Sequence, residues 1–149
     1  MSDLYEEDIV LWSERQAALL RRRAAGELIN EADLDWPNIA EEIDSLGKRD
    51  ARELASRITT VLIHLIKQQV SAATEPRAGW RNTILTQQTE IDLLLKDAPS
   101  LRRTVPTVIG EQLDIAKKRA LAELVGQGEQ ILTDLAPLTF TSEQVLSAA

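Results

Sequence analysis

Apolar residues recur every three or four positions along most of this chain, and nowhere do they alternate with polar ones as a half-buried strand requires. The densest run lies between positions 51 and 70. There Leu54, Ile58, Val61, Leu62, Ile63, Leu65 and Ile66 make the segment apolar nearly all round, leaving only a narrow polar strip of Arg57, Thr60, His64, Lys67 and Gln68. This pattern predicts a central helix covered on most sides by its neighbours.

Just ahead of it, Asp35 can cap a helix through its carboxylate, Pro37 suits a first turn, and Ile39, Ala40, Ile43 and Leu46 define an apolar side of about three turns. Gly47 is expected to end this helix. An unbroken stripe through Ile43, Leu46, Leu54 and Ile58 would carry the Asp50 carboxylate in its middle, whereas a break lets Asp50 and Glu53 form a D-x-x-E capping box for the next helix.

The N-terminal segment, with Ile9, Trp12, Leu19 and Leu20 in helical register, offers two starts, Asp3 with Glu6 and Ser13 with Gln16, and Gly26 as its stop. SAATEPRAG, residues 71 to 79, reads as a loop, and a helix from about Trp80 to Lys96 follows it on Trp80, Ile84, Ile91, Leu94 and Leu95. Pro106 suits the first turn of another helix, carried by Ile109, Leu113, Ala116, Ala120 and Leu124 and ending near Gly126 or Gly128. An irregular apolar tail from Ile131 to Phe140 precedes a T-x-x-Q capping box, Thr141 with Gln144, that predicts a last short helix. The expected fold is all-α: a single-domain helical bundle over residues 1–149, with about five to six helices around a central one near residues 51–70.

Composition narrows the chemistry more than it defines it. At 149 residues the chain suits one domain without staples. It has no Cys, which removes disulfides, thiolate metal sites and thiol catalysis. No apolar run approaches the ~20 residues of a membrane helix, and the start MSDLYEED is acidic where a signal peptide is basic, so the expectation is a soluble, cytoplasmic protein with no membrane partner. The net charge of −7 is concentrated early: up to Gly47 there are 12 acidic and 4 basic residues, and beyond it 12 acidic and 13 basic. That balance argues against nucleic acid as a partner, because such binding relies on Lys and Arg against phosphates.

Candidate site residues are few. His64 is the single histidine, and the position three before it holds Val61 rather than the Glu of a helical di-iron site, so a metal there would need carboxylates from Glu41 or Glu42 across the Gly47 break. A structural histidine is the plainer reading. Adjacent Glu41 and Glu42 point about 100° apart on a helix, which spoils them as an acid/base pair. Trp36, Lys67, Trp80 and Arg81 complete the candidates for a binding surface, Trp and Arg being favoured where proteins dock. No nucleophile spacing or glycine-rich phosphate cradle appears, so no catalytic residue, metal or cofactor is assigned.

Tyr5-Glu6-x-Asp8 with Trp12 and Gln16, then Leu34-Asp35-Trp36-x-Asn38-Ile39-Ala40-Glu41-Glu42-Ile43-x-Ser45-Leu46-Gly47, His64-Leu65-x-Lys67 and Trp80-x-x-Thr83-Ile84-x-x-Gln87 together resemble domain-of-unknown-function family twenty-nine, small helical proteins of cyanobacteria and other bacteria. The chain departs from that family's pattern at Gln68, where an aromatic is common, and at SAATEPRAG, where a basic loop is common. The resemblance implies an all-helical bacterial protein and no particular activity. Three functions compete: a protein-interaction module that can self-associate, an enzyme or metal-binding cleft of Glu41 or Glu42 with His64 and Arg81, and an antitoxin-like regulator of a basic partner.

Overall fold

The structure, a computed structural model, describes residues 3–147. Six α-helices run through the described residues: α1 Leu4–Glu7, α2 Ile9–Ala24, α3 Trp36–Val70, α4 Arg77–Asp97, α5 Val105–Gly126 and α6 Ser142–Leu146, with 3-10 turns at Glu31–Asp33 and Pro99–Thr104. The only extended pairing among them is a single antiparallel bridge between Ser71 and Ile131. The all-α class expected from the apolar spacing is what forms.

The expected break at Gly47 does not occur. Helix α3 continues for 35 residues, and Asp50 sits half-buried inside it rather than capping a new start. A glycine in a helix interior costs only ~1 kcal/mol, too little to stop a helix that gains tertiary packing further on. The C-terminal part supplies that packing: Leu54, Ile58, Val61, Leu62, Ile66 and Val70 are fully buried.

The chain divides into two compact units, Met1–Lys48 and Arg49–Ala149. In the second, twenty buried apolar side chains from α3, α4, α5, the tail and α6 form one cluster, with Trp80, Ile91, Leu124, Phe140 and Val145 among them. Gln88 ties α4 to the C-terminal helix, its Nε2 donating to the carbonyls of Val145 and Ser147 at 3.1 and 2.7 Å. The irregular tail is held by the Ser71–Ile131 bridge and by the Leu132 amide donating to the Val70 carbonyl at 2.7 Å. Helix α6 starts on the expected capping box, Thr141 and Gln144 each satisfying the other's backbone amide.

Other boundaries move for local reasons. Helix α4 starts at Arg77, one residue after Pro76, and so takes in Arg77, Ala78 and Gly79, which the sequence pattern leaves in the loop. Neither sequence-level start in the N-terminal segment is used as a box. Asp3 makes no side-chain cap, Ser13 lies inside α2, and Asp8 accepts from the Leu11 amide to cap that helix. Gly26 (φ 85°) and Gly128 (φ 74°) close α2 and α5 in the left-handed conformation, with the amides of Glu27 and Glu129 reaching back to Arg22 and Leu124. Among the described residues, no helix is long and apolar enough to cross a membrane.

Candidate functional site

In the first unit, the hydrogen bonds between α1, α2 and the start of α3 converge on a few side chains. The Trp12 indole N–H donates to Asp35 Oδ2 at 3.0 Å, and the Asn38 side chain donates to the same oxygen at 2.8 Å. Gln16 accepts from the Asp35 amide at 2.9 Å and donates to the Asp33 carbonyl at 3.1 Å, so one amide side chain pairs twice with the backbone leading into α3. Tyr5 packs edge-on against Trp12, ring centroids 4.9 Å apart, and its hydroxyl donates to Glu42 Oε1 at 2.6 Å. The Asn38 bonds to Asp35, followed by that of Trp12, outweigh the cost of partial burial and hold its carboxyl below the ordinary value of 3.8. The bond to Glu42 pushes Tyr5 up to about 12.

These bonds stand over a thin core. Among the described residues of the first unit, only Trp12, Leu34 and Ile39 are buried apolar side chains, while six large ones, Ile9, Val10, Leu28, Trp36, Ile43 and Leu46, are exposed. Trp36 is 47 % exposed, Ile43 65 % and Leu46 58 %. Residues seven apart fall on nearly the same side of a helix, so Trp36 and Ile43 share a face, and Leu46 lies one turn beyond Ile43. Beside α2, Trp12, Arg15, Leu19, Arg22, Leu34 and Asp35 line a groove of about 910 Å³.

The second unit gathers a different set. Lys67, expected on the polar strip of α3, is instead buried: its Nζ pairs with Glu123 Oε2 at 2.6 Å and stands 5.9 Å from the centre of the Trp80 ring. Arg77 lies on that ring as well, 6.0 Å away, and donates to the Ser71 carbonyl. The hydrogen bond from Lys67 keeps Glu123 ionised below its ordinary value of 4.5, against the opposing effect of burial. His64, half-buried one turn before Lys67, has Nδ1 2.8 Å from the Thr60 carbonyl. A carbonyl only accepts, so Nδ1 carries the proton in the neutral ring and Nε2 carries the lone pair. Burial lowers the pKa of His64, with Lys67 adding to the effect.

The candidates named from sequence fall in different units. His64, Lys67 and Trp80 come together, and Glu123 and Arg77 join them. Arg81 is exposed and helps line a cavity of about 300 Å³ with Gln68, Arg77 and Gln88. Glu41, Glu42 and Trp36 belong to the first unit, and the break expected at Gly47, which would have put the two glutamates on a different helix from His64, does not form. Nothing in the sequence points to Glu123, which lies 56 residues beyond Lys67 (123 minus 67) on α5. Tyr5, by contrast, stands in the same quoted motif set as its partner Glu42. Among the described residues, no three His, Asp or Glu side chains are grouped to hold a metal.

A small helical protein held at its start by an aromatic and carboxylate network is the class that these features define. The family model described as domain of unknown function DUF29 matches residues 4–149, and the chain belongs to that family. The motif residues Tyr5, Trp12, Gln16, Asp35, Asn38 and Glu42 are the ones that bond the first unit together. Among solved structures, the chain is similar to an alpha-helical protein of unknown function from Rhodospirillum rubrum, at 26 % identity and a TM-score of 0.62 over 98 % of this chain and 90 % of that one. No curated protein matches.

Proposed function

We propose that the protein is an interaction module that docks another polypeptide on the exposed face of α3 in its first unit. One observation carries this reading: among the described residues, the first unit buries three apolar side chains and exposes six large ones, whereas the second buries twenty and exposes six. A unit of this length hides little surface by itself, and a protein partner is the ordinary way to cover what remains. Trp36 supplies a large flat anchor, and Ile43 and Leu46 supply apolar area beside it. In the second unit Lys67 is already paired with Glu123, and His64 Nδ1 lies on the Thr60 carbonyl, which suits a packed scaffold.

The test replaces Ile43 and Leu46 by Ser together and compares what the wild-type and variant chains carry out of native cells. Exposed on a helix that has its own capping network, both positions accept Ser without loss of the fold, as circular dichroism should show. The reading expects a stoichiometric polypeptide, another protein or a second copy, that the wild type retains and the variant loses. Identical material on both chains would contradict it.

A further inference from the structure

We propose that the polypeptide covering this face is a second copy of the same chain, its α3 lying antiparallel across Ile43 and Leu46 so that Glu42 of each copy meets Arg49 of the other. The inference rests on the docking role of α3 and adds the partner and the direction of pairing.

Helix geometry supplies the argument. Ile43 and Leu46, 65 % and 58 % exposed, form the kind of seam along which two helices pack. Seven-residue spacing places Glu42 and Arg49 along one flank of that seam and Ala40 and Gly47 along the other. In an antiparallel pair like flanks meet, so each Glu42 faces an Arg49, and the small flanks face each other. In a parallel pair unlike flanks meet, so Glu42 falls opposite Gly47 and Arg49 opposite Leu54, and neither finds a countercharge. The face is thus complementary to itself in one direction only. Tyr5 occupies one oxygen of Glu42, Oε1, and a carboxylate has a second to offer.

Gly47 points the same way. A Cβ at this position would meet nothing within 4 Å, and its φ is helical, so neither the packing of the chain nor its backbone calls for glycine there. Close approach of a second helix gives the missing side chain a use.

The test mixes two charge reversals, read by light scattering from micromolar to millimolar protein. Alone, Glu42→Lys sets an introduced ammonium against Arg49 of the other copy, and Arg49→Glu sets an introduced carboxylate against Glu42. Each variant should therefore associate about tenfold more weakly than the wild type or worse. An equimolar mixture pairs every cation with an anion and should regain wild-type association. A misfolded variant could not be rescued in this way, so recovery separates lost pairing from lost fold. Wild-type association that neither reversal weakens, or a mixture no tighter than its components, would overturn the antiparallel pairing and leave the docking role standing. A wild type monomeric at millimolar concentration would overturn the second copy as partner, and the Ile43 and Leu46 replacements would then decide the docking role separately.

Discussion

Tyr5 and Trp12 each commit their one polar hydrogen to a carboxylate of the α3 start, and the consequences are measurable because this chain has few aromatics. Tyr5 is the only tyrosine, so its alkaline absorbance titration reports one hydroxyl. The fold favours the neutral phenol beside Glu42, so this contribution to stability is complete below the ordinary value of 10.0 and is lost as pH rises through about 12. A midpoint near 12 is expected, and Glu42→Gln should move it back toward 10.0. His64 is likewise alone and gives a single imidazole resonance. Its folded pKa lies below 6.5, so the stability it contributes is complete above 6.5 and falls away as pH drops through the folded value. A proton NMR titration with its midpoint at or above 6.5 would show that burial does not govern it. The Lys67–Glu123 pair is lopsided, Lys67 being 5 % exposed and the Glu123 side chain 40 %. Removing the carboxylate strands a buried ammonium, whereas removing the ammonium leaves a carboxylate that water can reach. Glu123→Ala should therefore cost about 2 kcal/mol more than Lys67→Met in urea unfolding.

At the scale of elements, Gly47 separates what the sequence pattern carries from what it lacks. Apolar spacing located α2, α3, α4 and α5, and Thr141 with Gln144 fixed the start of α6, because periodicity and capping are local properties. The continuity of α3 is not local. It follows from how deeply Leu54 to Val70 are packed, against which one glycine and the carboxylate of Asp50 weigh little. Gly47→Ala should accordingly raise the monomer's stability by about 1 kcal/mol, seen as a higher melting temperature without change in helix content. The candidate site was legible in the same measure: His64 and Lys67 lie one turn apart on a single helix and could be paired from spacing, whereas Glu123 reaches them from α5 and left no mark in the pattern. Spacing assigns Lys67 to the polar strip, because nothing in a long side chain's position along the helix signals that it turns toward Trp80.

For the whole molecule, the two units divide the work unequally. The second has a core dense enough to be indifferent to company, and Leu62→Ala, at a fully buried position, should cost ~2–5 kcal/mol in urea unfolding. The first relies on Trp12, Leu34 and Ile39 and on hydrogen bonds to Asp35 and Glu42. What distinguishes it is the apolar face of α3, and the most direct test of that face is mass against concentration by light scattering for the wild type beside the Ile43→Ser and Leu46→Ser double variant. The wild type should rise from 16.6 kDa toward twice that mass while the variant stays at 16.6 kDa. Two superimposable curves would contradict the pairing of two copies through this face.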